Sequence, residues 1–199
     1  MTDDDPDTLA ALADRRGAER AVYQPAEDSR LLAEAAVDHA RGRTLEVGTG
    51  SGWVAERIAT ETTATVVASD PNPAACLEAR DRGVPAVRAD LVAPFRADSL
   101  DTVAFNPPYL PTDPDNEWDD WMERALSGGE SGRAVIDPFV DTVGRVLRPD
   151  GIVLLLVSSL TGFESVVDHA ERSGFDATTV RQESYPFETL SVLRLTLDN

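Results

Sequence analysis

Short apolar runs alternate along this chain with segments whose apolar residues recur at helical spacing. The runs predict strands at residues 44–47, 65–69, 86–88, 102–105 and 152–157. Helical spacing predicts helices at residues 29–40, 53–59, 73–82, 131–147 and 163–173, the fourth of them interrupted near Pro138. Two further β-rich segments, 177–184 and 189–197, meet around Pro186 and predict a closing hairpin.

This alternation favours an α/β fold with a mostly parallel sheet. Because crossover helices cover the faces of such a sheet, we expect helices on both sides of it. The run at residues 152–157 is apolar throughout, as expected for a strand that is buried on both faces. The sequence therefore predicts a sheet covered on both faces that ends in an antiparallel pair of strands.

The chain has 199 residues, of which 42% are hydrophobic, enough for a single domain with a substantial core. Residues 1–20 are predicted to form an acidic, flexible tail, and residues 21–199 the domain. No apolar run approaches the roughly 18 residues of a membrane-spanning helix, and the first residues lack the features of a signal peptide. We therefore expect a cytoplasmic protein. We also expect no metal site, because Cys76 and two scattered histidines form no ligand pattern.

Acidic residues outnumber basic ones by 36 to 18, and every basic residue is arginine, since the sequence contains no lysine. The net charge of −18 opposes binding to a polyanion such as nucleic acid. Dense acidic residues without lysine also suggest adaptation to molar salt, as in a halophilic archaeon; an acidic protein of ordinary cytoplasm is the alternative. Because about 1 M salt screens charges beyond about 3 Å, the charge argues only weakly against nucleic acid.

Three glycines follow the first predicted strand at alternate positions, Gly48, Gly50 and Gly52. Glycines at the end of a strand allow a tight turn and a close approach of a nucleotide to the backbone. A phosphate-binding loop would need a lysine after the glycines, and a dinucleotide loop would need a glycine where Trp53 stands. The remaining interpretation is a loop for S-adenosylmethionine, whose amino-acid portion and ribose carry no phosphate.

Acidic side chains follow the next two predicted strands. Asp70 comes directly after residues 65–69 and can accept hydrogen bonds from both hydroxyls of a ribose. Asp90 follows residues 86–88 and can receive the amino group of an adenine. A single acid after a strand is more often a turn or N-cap residue. Since parallel strands end at one edge of a sheet, however, the successive positions favour a shared ligand site.

The sequence Asn106-Pro107-Pro108-Tyr109 directly follows the fourth predicted strand. Two prolines donate no backbone hydrogen bond and fix φ, so the strand must end there in a stiff turn. The turn offers an amide oxygen, free carbonyls and an aromatic face, which can hold a planar NH2 group by its two hydrogens. A proline turn that merely closes the strand is the alternative.

Taken together, these segments resemble the HemK-like class I S-adenosylmethionine-dependent methyltransferases. The resemblance is to the archaeal and eukaryotic branch, which modifies the glutamine of the Gly-Gly-Gln motif in class I translation release factors. It runs from about Val22 to the C-terminus, and its most discriminating part is Tyr-Gln-Pro-Ala-Glu-Asp-Ser at residues 23–29. The other matching segments are residues 46–52, 70, 90–91, 106–109, 127–129, 132–133 and 190–193. The loop 111–126, rich in Asp and Trp, follows no family pattern.

The resemblance implies a seven-stranded Rossmann-like sheet, mostly parallel with a C-terminal antiparallel hairpin, and S-adenosylmethionine as the cofactor. The implied cofactor-binding residues are Tyr23, Asp28, Ser29, Glu46, Gly48, Gly50, Asp70, Asp90, Leu91 and Asn106. By its chemistry Glu46 can receive the cofactor's ammonium group, and Ser29 can bond a polar edge of the cofactor. For Ser29 a role as helix N-cap is an equal alternative.

The hypothesis that follows is methyl transfer to the side-chain amide nitrogen of a glutamine. Its catalytic residues are Asn106, Pro107 and Tyr109: the Asn106 Oδ1 and the Pro107 carbonyl accept the two N–H bonds, while Tyr109 packs against the amide. The expected substrate-binding residues are Asn106, Pro107, Pro108, Tyr109, Gly128 and Gly129. The two glycines either let the acceptor's backbone approach or simply form a flexible loop.

The resemblance further implies a heterodimer with a small zinc-binding activator subunit that covers an apolar edge of the sheet. An alternative function is N6-adenine or other base methylation of RNA or DNA, because adenine methyltransferases of nucleic acids share the Asn-Pro-Pro-Tyr turn. That function favours a basic groove or an appended recognition domain, and the chain has neither. A cofactor-binding scaffold without activity is a third alternative, and it predicts damage to a turn that is intact.

Overall fold

The computed structural model describes residues 22–112 and 121–198. The predicted acidic tail and the central part of the loop 111–126 lie outside these residues, so the division into tail and single domain stays a prediction. Among the described residues, no helix is both long enough and apolar enough to cross a membrane.

Helices and strands alternate along the chain much as the hydrophobic pattern predicts. In chain order they are α1 Glu27–His39, β1 Arg43–Val47, α2 Trp53–Glu61, β2 Thr65–Asp70, α3 Pro73–Asp81, β3 Ala86–Arg88, β4 Leu100–Phe105, α4 Trp121–Leu126, α5 Ile136–Val143, β5 Leu147–Ser158, α6 Phe163–Arg172, β6 Phe175–Ser184 and β7 Thr189–Leu197. Short 3-10 helices lie at Gly144–Val146 and Ser159–Thr161.

The strands form one seven-stranded sheet in the order β3-β2-β1-β4-β5-β7-β6. The pairs among the first five strands are parallel, and β7 pairs antiparallel with both β5 and β6. The predicted mostly parallel sheet with a closing antiparallel hairpin is therefore confirmed. The chain leaves β1 toward β2 on one side and returns to β4 on the other, so a crevice opens beyond the paired ends Val47 and Phe105.

The core is continuous across the sheet and fixes the ends of the strands. Leu154, Leu155 and Leu156 in β5 are all fully buried, which confirms the prediction of a strand covered on both faces. At the end of β4 the rings of Phe105 and Phe139 lie 4.6 Å apart, centroid to centroid, which locks this strand end against α5. The turn that follows Phe105 therefore starts from a rigid base.

The first helix begins two residues earlier than predicted. It starts at Glu27 with Ala26 as the N-cap residue, and no side chain caps it. Acidic Glu27 and Asp28 in the first turn are favourable near the positive end of the helix dipole. Ser29 lies inside the helix, so its interpretation as an N-cap is wrong.

The helix predicted at residues 131–147 is much shorter in the structure. Residues 131–135 form a turn in which Gly132 has a φ of 71°, and the helix begins only at Ile136. Pro138 therefore falls in the first turn, where its missing N–H costs nothing, and no interruption occurs. The chain passes through a 3-10 turn and enters β5 at Leu147.

Residues 149–151, whose Pro149 and Gly151 favour a turn, lie within β5 as a bulge. Leu147 pairs with Leu100 and Ile152 pairs with Thr102, so four residues of β5 loop out opposite one residue of β4. Pro149 and Gly151 do turn the chain away from β4, but β5 pairs with β4 both before and after this bulge.

Candidate active site

A cavity of about 630 Å³ lies at the carboxyl ends of the central strands. This volume is within the usual range for a small-molecule site. Among the residues that line it are Tyr23, Asp28, Ser29, Glu46, Gly48, Gly50, Asp70, Asp90, Leu91, Asn106, Pro107, Pro108 and Tyr109. The structure thus brings together every predicted site residue except Gly128 and Gly129.

The glycine-rich turn closes one side of the cavity, and the N-terminal segment packs directly on it. Ser51 donates its backbone N–H to the carbonyl of Tyr23 at 3.1 Å. Gly50 has a φ of 53°, and a Cβ there would lie 3.0 Å from the same carbonyl. Gly50 is therefore required both by the turn's left-handed backbone and by close approach of the N-terminal segment.

That N-terminal segment also carries a buried carboxylate into the site. The Tyr23 hydroxyl donates to Asp28 Oδ2 at 2.7 Å, and Asp28 is 1% exposed. Ser29 donates its backbone N–H to Asp28 Oδ1 at 2.6 Å. The side chains of Tyr23, Asp28 and Ser29 form one hydrogen-bonded unit along the cavity wall. Their spacing in the sequence therefore helps to identify the site.

Glu46 at the base of the cavity is 3% exposed. Its Oε2 accepts hydrogen bonds from the Thr49 hydroxyl and from the Ala55 N–H, the latter at 3.1 Å. Burial raises the pKa of Glu46 to about 8, although these two hydrogen bonds act to lower it. A carboxylate this poorly solvated is stabilised when a cation joins it, and an ammonium group meets that need.

Replacing Glu46 with Gln should reveal this burial as a pH-dependent stability. The Glu46 pKa is 4.5 in a model peptide and about 8 in the fold, so the folded protein binds more protons than the unfolded chain between these values. The free energy of unfolding of the wild type therefore falls as pH rises through this window. We expect Glu46→Gln to gain stability over the wild type steadily from pH 5 to pH 8 in thermal melts of cofactor-free protein. The exposed Glu164→Gln is the control, and a constant difference for Glu46→Gln would contradict the assignment.

Asp70 ends β2 and is fixed from two sides. Its Oδ2 accepts from the Gly50 N–H at 3.0 Å, and its Oδ1 accepts from the Asn72 N–H at 2.8 Å. Burial raises the pKa of Asp70, against the effect of the two hydrogen bonds. Each oxygen keeps further acceptor capacity, so the carboxylate is oriented to bind a pair of hydroxyl donors.

The adenine end predicted around Asp90 contains a strained backbone. Leu91 has a φ of 45°, in the left-handed region that a leucine rarely adopts. Such a conformation costs roughly 1–3 kcal/mol and persists where the surroundings impose it, often at ligand sites. Asp90 itself is exposed at the mouth of the cavity, and Asn72, which caps α3, lines the same end.

The Asn-Pro-Pro-Tyr turn carries an unsatisfied acceptor. The Oδ1 atom of Asn106 is buried and has no hydrogen-bond partner among the described residues. Leaving such an atom unpaired costs about 1–3 kcal/mol. Pro107 and Tyr109 are buried beside it, Tyr109 at 3% exposure. The turn therefore presents a buried acceptor in the wall of the cavity.

Gly128 and Gly129 support this turn from outside the cavity. The Gly128 N–H donates to the Leu110 carbonyl at 2.8 Å, and the Gly129 carbonyl accepts from the Thr112 N–H at 3.1 Å. A Cβ on Gly128 would lie 2.6 Å from the Gly132 carbonyl oxygen. Packing alone thus explains Gly128, and a role of either glycine in substrate binding stays a prediction.

Sequence reasoning missed several residues that line the cavity. Trp53 occupies the first position of α2, and Trp121 and Arg124 project from α4. Helix α4 lies in the loop 111–126, for which the sequence predicts no helix and of which residues 113–120 lie outside the described residues. Trp53 could have been found from its place directly after the glycine-rich turn.

Comparisons with known proteins agree with this geometry. Residues 45–107 match the family described as methyltransferase domain. Human methyltransferase HEMK2 is 36% identical over 91% of this chain and 92% of its own length. A release factor glutamine methyltransferase of Moorella thermoacetica is 32% identical over 77% of this chain and 60% of its own length.

A solved structure of a methyltransferase complex is also similar to this chain. It is the Mtq2–Trm112 complex of E. cuniculi, responsible for methylation of the eRF1 translation termination factor. Its matching chain is 30% identical, with a TM-score of 0.75 over 90% of this chain and all of the other. On the fold, the site and these relatives, the chain belongs to the HemK-like class I S-adenosylmethionine-dependent methyltransferases.

Proposed function

We propose that the protein methylates the side-chain amide nitrogen of the glutamine in the Gly-Gly-Gln motif of a class I translation release factor. The observation that carries this proposal is the buried, unpaired Oδ1 of Asn106 in the cavity wall, which needs an N–H donor. Relatives named for release factor glutamine and for eRF1 methylation support the substrate. Because translation takes place in the cytoplasm, we also propose that location.

The cavity residues fit the cofactor that the family uses. Glu46 would receive its ammonium group, Asp70 its ribose hydroxyls, and the turn around Asp90 and Leu91 its adenine. Tyr23, Asp28, Ser29, Gly48 and Gly50 complete the proposed cofactor site, with Asn106 at its acceptor end. When bound, S-adenosylmethionine supplies an electrophilic methyl group attached to a positive sulfur.

Amide nitrogen is a weak nucleophile because its lone pair is delocalised into the carbonyl. The protein's contribution is therefore positioning and charge stabilisation. Asn106 Oδ1 and the Pro107 carbonyl would accept the two N–H bonds, and Tyr109 would cover the amide plane. Since positive charge develops on nitrogen during transfer, these bonds strengthen in the transition state. No general base is required if the proton leaves after the methyl group has arrived.

We propose a heterodimer with a small zinc-binding activator subunit. The E. cuniculi Mtq2 chain is found in a complex with Trm112, which supports a partner of this kind. In the described part of this chain, two of the three large exposed apolar side chains, Val87 and Leu77, belong to β3 and the neighbouring α3. Because β3 is an edge strand, its open side and these apolar groups suit an added subunit.

The test is methyl transfer from labelled S-adenosylmethionine in molar salt, with the candidate activator present. The acceptors are the cognate release factor and its Gln-to-Ala variant in the Gly-Gly-Gln loop, with total RNA and DNA assayed in parallel. We expect label on the native factor and none on the variant. Label on nucleic acid but on neither protein would overturn the proposal in favour of base methylation.

A further inference from the structure

Helix α4 is fixed to the acceptor turn by the residues that follow Tyr109. The Leu110 N–H donates to the Leu126 carbonyl at 3.0 Å, and Leu110 forms a parallel bridge with Ser127. The hydroxyls of Thr112 and Ser127 lie 2.6 Å apart. Because Leu110 directly follows the Asn-Pro-Pro-Tyr turn, the position of α4 is coupled to that of Asn106.

One side of α4 faces the core and another faces the cavity. Met122 and Leu126 are buried, which anchors the helix. Trp121, Arg124 and Ala125 line the cavity, with the Arg124 guanidinium carbon 5.3 Å from the centre of the Trp121 ring. This distance is typical of a cation–π contact, which holds a planar cation and a planar ring together at the cavity wall.

The Arg124 guanidinium is an available donor. Within residues 22–112 and 121–198, the guanidinium contacts the Trp121 ring, and no carboxylate or carbonyl accepts its N–H groups. Several other arginines have such acceptors, for example Arg57 with Glu61 and Arg133 with the Thr161 carbonyl. Arg124 is exposed at the cavity wall, so its N–H groups are open to an acceptor on a bound substrate.

We propose that Trp121 and Arg124 form the second wall of the acceptor site and hold the main chain of the substrate loop beside the target glutamine. This inference rests on the proposed function. A glutamine whose amide reaches Asn106 Oδ1 leaves its own backbone near the cavity mouth, since only three carbons separate the Cα atom from the amide nitrogen. Arg124 donates to carbonyls of that backbone, and Trp121 covers its flat peptide groups.

The observations favour a peptide over a nucleic-acid strand as the occupant of this wall. A guanidinium offers several N–H donors in one plane, which matches neighbouring main-chain carbonyls as well as it matches a phosphate. Binding along a phosphate backbone, however, uses a series of cations, and Arg124 is the one arginine that α4 brings to the cavity. One arginine stacked on one tryptophan suits a short, uncharged loop.

The test compares Arg124→Ala, Arg124→Lys and Trp121→Phe in the full chain with its activator, using the release factor as acceptor. We expect Arg124→Ala to raise the KM for the factor about tenfold, while kcat stays within twofold and the Kd for S-adenosylmethionine is unchanged. Arg124→Lys should recover only part of the loss, because it restores the charge without the planar donors. Trp121→Phe should lie near the wild type. The matched control is Arg96→Ala, which removes an exposed arginine from the loop before β4.

Each other outcome has a distinct meaning. An unchanged KM in Arg124→Ala overturns the inference while the wild type still labels the factor and the proposed function stands. A joint fall in kcat, cofactor affinity and melting temperature assigns Arg124 a structural role and also overturns it. Label on RNA that depends on Arg124 reassigns the wall to a nucleic acid. If the wild type labels no release factor, the proposed function itself has failed.

Discussion

Asn106→Ala is expected to lower the rate of methyl transfer by about 100- to 1,000-fold, while the affinity for S-adenosylmethionine stays within a few-fold of the wild type. The side chain supplies a buried acceptor that no described residue uses. In the proposed reaction this oxygen accepts a hydrogen bond from one N–H of the glutamine amide and stabilises the positive charge that develops on the nitrogen. Removing it takes away both the fixed orientation and the charge stabilisation.

The measurement is single-turnover transfer of label to the release factor, together with cofactor binding followed by intrinsic tryptophan fluorescence, since Trp53 and Trp121 both line the cavity. Asn106→Asp is the matched variant, because a carboxylate keeps an oxygen acceptor at the same place. We expect it to retain more activity than Asn106→Ala. Full activity in the alanine variant would refute the role of Asn106, and a loss confined to cofactor binding would move that role to the cofactor.

The convergence of the site could be predicted because it follows from topology. Each of Glu46, Asp70, Asp90 and Asn106 is at or just after the end of a predicted strand, and parallel strands end at one edge. The sequence pattern needs only to identify the strands correctly for these residues to meet. The part played by the segment 23–29 came from the family resemblance, since helical spacing alone says nothing of what Tyr23 contacts.

The features that escaped prediction depend on contacts between distant parts of the chain. Helix α5 begins five residues later than predicted because Gly132, in the turn before it, must approach the Tyr109 carbonyl closely. A Cβ on Gly132 would lie 2.7 Å from that oxygen. At the bulge in β5, Pro149 and Gly151 signal a turn locally, but the pairing with Leu100 and Thr102 that keeps the turn within one strand is a long-range contact. The wall formed by α4 is the same case, because its place is set by bonds to Leu110.

Two buried polar groups in the proposed site are unfavourable for the stability of the protein without its ligands. Glu46 is deprived of solvent, and Asn106 Oδ1 is deprived of a donor. Each costs stability in the empty protein, and each would be relieved by one part of the complete complex, an ammonium group for the first and an amide N–H for the second. Ligand binding should therefore stabilise the protein through these two atoms as well as by mass action.

Gly52→Ala is expected to cause the largest loss of stability, about 3 kcal/mol, which combines a left-handed backbone with overpacking. Gly52 precedes α2 with a φ of 82°, and a Cβ there would lie 2.5 Å from the Cα of Ala79 in α3. The atoms of Ala79 that the new Cβ would meet are its backbone Cα and its own Cβ, so no flexible side chain can move aside. The glycine that resembles part of a ligand loop is thus also required where α2 meets α3.

Gly83→Ala separates these two causes. Gly83 has a φ of 85°, almost equal to that of Gly52, but a Cβ there would have no neighbour within 4 Å. We expect Gly83→Ala to cost only about 1 kcal/mol, the backbone part of the effect. Thermal melts of both variants in molar salt measure the difference, which should correspond to several degrees in Tm at this chain length. Equal losses would show that α2 and α3 separate freely and that the Gly52 contact does not constrain the glycine-rich turn.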